Sequence, residues 1–310
     1  MKNFKKKALL PAIIMVMVSV IALSSATYAW FTVGNDAQLG KLDVQVVAAS
    51  GIQLSLDAAS WKSSIATQDI IDVAVFPAEG YSINPVSTNA KTNSNGRLDF
   101  YSAIVNADGT TLTTTAVPAP GEANGKLTPG SADYITFDLY VKVNTAANLY
   151  LNADSKVTSE ISAGNIATRV AFVHQGFVGT NAAPGDAIKL AKSGEKAVVW
   201  EPNATTHTAE AIQLGTAFDG GASANKYKGV KAAATDVPNE PNGSHNTALE
   251  AVTTTDDIGV KESGLIAELE PGINKISVSI WLEGQDGDCV NSISGGDIST
   301  FLKFTKVDAE

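Results

Sequence analysis

One stretch of the 310-residue sequence decides the fold class, and it reads Asp133-Tyr134-Ile135-Thr136-Phe137-Asp138-Leu139-Tyr140-Val141-Lys142-Val143. Apolar residues occupy every second position from Ile135 to Val143, and the positions between them are polar or amphipathic. Because successive side chains of a strand point to opposite faces of a sheet, this alternation predicts a β-strand with one apolar face. Pro129-Gly130 supplies a turn just before it.

The same two-residue period recurs along the chain, whereas helical periodicity does not. Further strands are predicted at 42–46, 52–56, 98–105, 148–151, 167–173, 198–200, 273–282 and 298–304. Another apolar run extends from Ile70 to Phe76 and is stopped by Pro77. One helical turn is predicted over 58–65, around Trp61. Roughly ten short strands joined by turns predict an all-β fold, a jelly-roll-like β-sandwich.

Residues 176–262 differ from the rest because they are polar and rich in turn residues. Apart from the strand Val198-Val199-Trp200, we expect long loops here, with short elements near Ile212 and Val230. So long an irregular stretch is usually functional or mobile. We therefore predict one β-sandwich domain over 30–310, with 176–262 as a loop-rich insertion.

The first 29 residues have the pattern of a cleavable secretion signal. A basic start, Lys2 to Lys7, precedes an apolar run from Ala8 to Leu23, and small or polar residues follow it. Small residues at Thr27 and Ala29 place cleavage between Ala29 and Trp30. Two alternatives are a retained membrane anchor and a pilin-like helix. The apolar run is barely long enough to span a bilayer as an anchor. Cleavage predicts a secreted protein that meets a signal peptidase and keeps no stable membrane anchor.

Composition excludes some functions. The formal net charge is −10, and removal of the four signal lysines leaves 18 basic against 32 acidic residues. So acidic a chain cannot neutralise a row of phosphates, and nucleic-acid binding is not expected. The single cysteine, Cys289, excludes a disulfide within the chain, and we expect it to be buried or to bridge two molecules.

A search for catalytic motifs predicts no enzyme, no catalytic residue and no cofactor. His174, His207 and His245 stand apart in the sequence and none belongs to a zinc motif. The chain also lacks a nucleophile elbow and a phosphate-binding loop.

The acidic segment 283–288 is a candidate metal-binding loop. Glu283, Asp286 and Asp288 alternate with glycines, which is a pattern that can bind Ca²⁺. The simpler interpretation is a solvated turn between two strands, without a metal. Trp281 and Cys289 flank this loop, and we expect both to lie in the core.

Three short segments carry a resemblance to a known family: Thr27-Tyr28-Ala29-Trp30-Phe31-Thr32, Arg169-Val170-Ala171-Phe172, and Trp281-Leu282-Glu283-Gly284 followed by Asp288-Cys289. The first resembles the export junction of TasA/camelysin-like proteins, which carry a SipW-type signal peptide and include Gram-positive biofilm fibre subunits. The other two resemble segments of exported clostridial proteins with this junction.

The resemblance implies a jelly-roll subunit that polymerises by donating a strand to its neighbour, a form of β-augmentation. The matching donor segment is 30–49, and the residues implied at the polymer interface are Trp30, Phe31, Leu39, Leu42, Val44 and Val46. The alternative is that this strand pairs within its own sheet.

The function expected from these observations is a structural subunit of an extracellular fibre or of the cell-surface or biofilm matrix, with itself as partner. A second hypothesis is an adhesin-like module that binds surfaces through the 176–262 loops. A metalloprotease, suggested only by camelysin-like relatives, is the third.

Overall fold

The computed structural model describes residues 42–49, 51–76, 83–107, 111–130, 132–159, 161–209, 226–238, 248–255, 259–260, 264–289 and 296–309. The strands are β1 Leu42–Ala48, β2 Gln53–Ser55, β3 Ser64–Ile65, β4 Tyr101–Val105, β5 Thr111–Ala116, β6 Glu122–Ala123, β7 Lys126–Leu127, β8 Ile135–Val143, β9 Ala147–Leu151, β10 Lys156–Ser159, β11 Thr168–Val178, β12 Val198–Trp200, β13 Lys226–Val230, β14 Ala234–Pro238, β15 Leu249–Thr255, β16 Leu265–Leu269, β17 Gly272–Leu282 and β18 Ile298–Asp308. The helices are α1 Thr67–Ile71, α2 Ser162–Ala167, α3 Pro184–Ile188 and a 3₁₀ turn, Ala204–Thr206.

Two large sheets form the molecule. The first has the order β16-β9-β18-β1-β3, with β10 also paired to β18, and the second has the order β13-β15-β12-β11-β17-β8-β2. A three-stranded sheet, β14-β5-β4, and the β6-β7 hairpin complete the described strands. The prediction of an all-β sandwich is therefore confirmed.

The two large sheets share one apolar core. Val46, Leu151 and Leu302 from the first sheet lie in the same buried cluster as Phe137 and Val278 from the second. Across the sandwich, the rings of Phe172 and Phe304 meet edge to face with centroids 5.9 Å apart. Such close packing of two inner faces is the main stabilising feature of a β-sandwich.

The outer face of the seven-stranded sheet is also buried, which the strand alternation did not predict. Every residue of β8 except Lys142 is buried, including the polar Thr136 and Asp138. A second apolar cluster accounts for this, because Leu98 and Phe100 from the segment before β4 pack on the outward-facing Tyr134 and Trp281. The molecule thus has a covering layer over one face of the sandwich.

Two sequence predictions were wrong in detail. Residues 58–65 do not form a helical turn; the stretch ends in β3, and α1 follows it. The predicted strand 198–200 is β12 and the element predicted near Val230 is β13, but the described parts of 176–262 also contain β14 and β15, and β12, β13 and β15 extend the second large sheet. The short element predicted near Ile212 lies outside the described residues, and so does the whole signal segment. None of the described helices combines the length and the hydrophobicity that a membrane span requires.

Candidate functional site

The predicted donor segment is described only from residue 42 onward. Ala29, Trp30, Phe31 and Leu39 lie outside the described residues. Leu42 begins β1, and Val44 and Val46 are 1% and 0% exposed in the sandwich core.

In this single chain, β1 lies inside its own sheet. It runs parallel to β18 over seven residue pairs, which include Val44 with Thr300 and Val46 with Leu302. On its other edge it pairs with β3 over only two residues, Val46 with Ile65 and Val47 with Ser64.

A threonine side chain continues the closure of this outer edge beyond β3. The amide of Val44 donates to Thr67 Oγ1 over 3.1 Å, and the same hydroxyl donates to the carbonyl oxygen of Val44 over 3.1 Å. Main-chain residues of a strand exchange the same two bonds with a neighbouring strand. The Thr67 hydroxyl therefore stands where a strand partner would be.

The acidic loop after β17 is not a solvated turn. Glu283, Asp286 and Asp288 are 0%, 1% and 5% exposed. Buried carboxylates require partners, because removing an unpaired charge from water is costly. Each of the three has them in this structure.

Arg169, at the beginning of β11, is the centre of this buried network. Its Nη2 donates to Glu201 Oε1 over 2.6 Å and to Asp286 Oδ2 over 2.5 Å. Its Nη1 donates to the carbonyl oxygens of Ile166 and Thr168. The guanidinium, which is 0% exposed, thus joins the end of β12 to the loop after β17.

His207 lies between two carboxylates of the same network. Its Nδ1 is 2.7 Å from Asp288 Oδ2 and its Nε2 is 2.9 Å from Glu201 Oε1. The pKa values of Glu201 and Asp288 are both lowered, and with both groups ionised the two ring nitrogens donate and the ring is an imidazolium. Burial alone would lower the pKa of His207, but the bonds to Asp288 and Glu201 and the charge of Asp286 raise it to about 9.

The carboxyl groups respond differently to this environment. Burial opposes ionisation of Glu201, yet the Arg169 charge and the bonds from His207 and Thr254 lower its pKa to about 2. Burial raises the pKa of Glu283 to about 7, although Trp281 Nε1 donates to it over 2.9 Å. The network therefore contains both fully ionised and easily protonated acids.

We tested whether this group could hold a metal ion. Glu201, His207 and Asp286 each offer one ligand atom, and these atoms lie within 4.8 Å of one another. An imidazole with two carboxylates suits a cation such as Zn²⁺. However, Arg169 donates to both carboxylates, so a metal would lie beside a guanidinium in a buried site. The geometry fits an ion-pair network better than a metal centre, and the same holds for Ca²⁺ on the acidic loop.

The other arginine of the sequence forms a second buried network. Arg97, in the covering layer, donates to both oxygens of Asp138 on β8, over 2.5 and 2.8 Å, and to Glu122 over 2.5 Å. Lys275 Nζ lies 3.3 Å from Asp138 Oδ2 and donates to the carbonyl oxygen of Ile188 over 2.7 Å. Burial opposes the charge of Asp138, but Arg97 outweighs it and lowers the pKa of that carboxyl. This network attaches the covering layer to the sheet.

The prediction that Trp281 and Cys289 lie in the core is confirmed, since they are 1% and 0% exposed. Burial raises the pKa of the Cys289 thiol well above its usual value, and nearby carboxylates add to the effect. A protonated, buried thiol is a poor nucleophile.

Sequence reasoning treated all three histidines as isolated, which was wrong for His207. His174 lies 3.2 Å from the Asn274 side chain, and His245 is outside the described residues. The partners of His207 lie 6 to 81 positions away in the chain, so no local motif links them. The available signal was Arg169 itself, a charged residue within the apolar run 167–173, which indicates a buried partner.

Comparison with protein-family models, with curated proteins and with solved structures returned no match for this chain. Its function must therefore be argued from its own residues.

Proposed function

We propose that this chain is an exported structural subunit of an extracellular fibre or cell-surface matrix, assembled by strand donation from residues 30–49. The observation that carries the proposal is the position of β1. This first strand supplies Val44 and Val46 to the core, yet it belongs to the end of the chain that signal cleavage would free. The residues that would be released thus lead directly into a strand that the sandwich needs.

The energetics of β1 support exchange between copies. Full burial of a valine side chain is worth about 1.5–3 kcal/mol. A sandwich that has lost β1 would therefore be strongly stabilised by binding a copy of that strand in the place between β18 and β3, here called the slot. The same strand from a second copy makes the same contacts with β18, as in domain swapping. Polymerisation then requires no surface other than the one that already receives β1.

Charge and chemistry are compatible with this role. The excess of acidic residues keeps subunits apart until a specific contact forms. Among the described residues, the carboxylates that contact Arg169, His207 and Arg97 are largely buried and held in ion pairs.

Paired cysteines test the proposal directly. Gln45 on β1 and Phe301 on β18 are register partners. We would prepare mature protein, residues 30–310, carrying Gln45→Cys and Phe301→Cys, treat it with a short bis-maleimide and separate the products on denaturing gels. The two variants that carry only one of these substitutions are the controls, and buried Cys289 should not react.

Strand donation predicts covalent ladders of two or more chains from the double variant, together with filaments in negative-stain images. Deletion of residues 30–48, which removes β1 itself, should abolish the filaments. Crosslinks found only within single chains, from protein that forms no filaments on seeding, would refute the proposal.

The second candidate, a surface-binding module, has one supporting observation. Within the described part of 176–262, Phe177 and Val260 are 46% and 57% exposed, and each is a large apolar side chain that a partner could cover. Binding to cell surfaces that persists after deletion of residues 30–38, but not after Phe177→Ser and Val260→Ser, would favour this function.

A further inference from the structure

We infer that the Thr67 hydroxyl is a latch that sets the rate at which β1 leaves and enters its slot. For the effect on polymer growth, the inference rests on the proposed function. Its effect on the opening of a single chain is independent of that proposal.

The latch acts on one edge of β1. The amides of the even-numbered residues face this edge, as shown by Ala48, whose amide donates to the Ser63 carbonyl oxygen over 2.9 Å. The odd-numbered Ala49 donates instead to Phe304 of β18. On the outer edge, the main-chain pairing among the described residues is that with β3, and the Thr67 hydroxyl takes both backbone groups of Val44.

Helix α1 holds Thr67 in position, but the Thr67 hydroxyl can still break its bonds to β1. Thr67 is the first residue of α1, and Ile70 of the same helix is 0% exposed in the sandwich core. Asp69 fixes the start of the helix by accepting from the Ala66 amide over 3.1 Å. Thr67 itself is half-buried, so water can replace its hydroxyl when the side chain rotates. A single rotation therefore frees both backbone groups of Val44, while the short pairing of β1 with β3 stays in place.

Removal of the Thr67 hydroxyl should change the rate of strand exchange and leave its final extent unaltered. Under strand donation, the Thr67 of the receiving copy closes on the incoming strand as it closed on its own. The two bonds therefore stabilise the monomer and the polymer equally, and only the open intermediate lacks them. Their loss lowers the barrier from both sides.

The experiment compares Thr67→Val, which keeps the shape and removes the hydroxyl, with Thr67→Ser, which keeps the hydroxyl. Lys62→Ala is a matched control, because it removes the exposed Lys62–Asp69 pair, 2.8 Å, beside the latch without touching β1. Hydrogen exchange with mass spectrometry on the peptide containing residues 42–48 reports opening of the strand. Peptides from β8 and β17 report global unfolding.

We expect Thr67→Val to accelerate exchange of the 42–48 peptide roughly tenfold, the effect of losing two partly exposed hydrogen bonds. Exchange in β8 and β17 should not change, and the serine and alanine controls should match the unaltered protein. Equal exchange in all variants, or equal acceleration of every peptide, would overturn the latch.

The crosslinking ladder separates the latch from the proposed function. If the protein polymerises, Thr67→Val should form intermolecular crosslinks faster by the same factor and reach an unchanged yield. A changed yield with an unchanged rate would count against the latch. If no variant forms a ladder, strand donation fails, and the hydrogen-exchange result alone decides the latch.

Discussion

Raising the pH should destabilise this protein through His207. The imidazolium is held by Asp288 and Glu201, and its pKa in the folded chain is about 9 against an ordinary value of 6.5. A group whose pKa is raised by folding contributes its full stability below the unfolded pKa. That contribution is lost as the pH rises through the folded pKa. The loss should therefore extend from pH 6.5 to pH 9.

The size of the effect follows from the two pKa values. Each pKa unit corresponds to about 1.4 kcal/mol, so the imidazolium should contribute about 3 kcal/mol below pH 6.5. Because natural domains unfold with about 5–15 kcal/mol, such a loss is large enough to measure.

The assay is urea unfolding, followed by tryptophan fluorescence, from pH 5.5 to 10 at constant ionic strength. His207→Gln is the comparison, because glutamine can donate to one of the two carboxylates but cannot carry the charge. Glu283, with a pKa of about 7, titrates in the same range in both proteins. The difference between the two proteins therefore reports His207.

We expect that difference to be greatest below pH 6.5 and to shrink by about 3 kcal/mol by pH 9. Two stability curves that stay parallel across the range would refute the assignment of an imidazolium. The network would then hold a neutral histidine and a protonated acid.

Three further predictions concern the buried groups. Arg97→Lys keeps the charge but loses the two-pronged contact with Asp138, and should lower the free energy of unfolding by about 1–3 kcal/mol in urea; a change below about 0.5 kcal/mol would contradict the geometry. Cys289 should resist maleimide for hours in the folded protein and react at once in denaturant, as measured by intact mass; labelling without denaturant would mean that its loop opens. A chelator should leave the melting temperature within about 1 °C of its original value, since the buried carboxylates bind protein donors; a larger fall would indicate a bound cation.

Alternation of apolar residues was sufficient to predict the longest strands of the sandwich core but not β10 and β16, which also contribute residues to it. The predicted strand over 273–282 corresponds to β17, Gly272–Leu282, and the strand over 298–304 corresponds to the first part of β18. Apolar residues dominate one face of each strand, with Asn274 and Thr300 as the polar exceptions, so the two-residue period is plain in the sequence.

The alternation of apolar residues did not predict the threonine-rich strands. β5 reads Thr-Leu-Thr-Thr-Thr-Ala, and the Thr253–Thr255 run, which we expected to be a loop, ends β15. Threonine is polar but β-branched, and branching at Cβ favours the extended backbone of a strand. A reading based on polarity alone therefore places such segments in loops.

The buried ion networks could not be predicted in full, because they depend on tertiary contacts. Three separate segments supply Arg169, Glu201 and Asp286. Arg97 contacts Asp138, which lies 41 positions later in the sequence. Sequence spacing carries no information on such distances. What it does carry is the rarity of arginine here, with two in 310 residues, and one of them within an apolar run.

The placement of these networks bears on strand exchange. A subunit that donates its first strand must stay folded while the slot is empty. β1 belongs to the first sheet, whereas both arginine networks lie on the outer face of the second sheet, away from the slot. Arg97 and Arg169 there join the covering layer, β12 and the loop after β17 to the strands β8 and β11. Loss of β1 would open one edge of β18 and leave these buried ion pairs intact, so under the proposed strand donation the second sheet would hold the fold together while the place of β1 is empty.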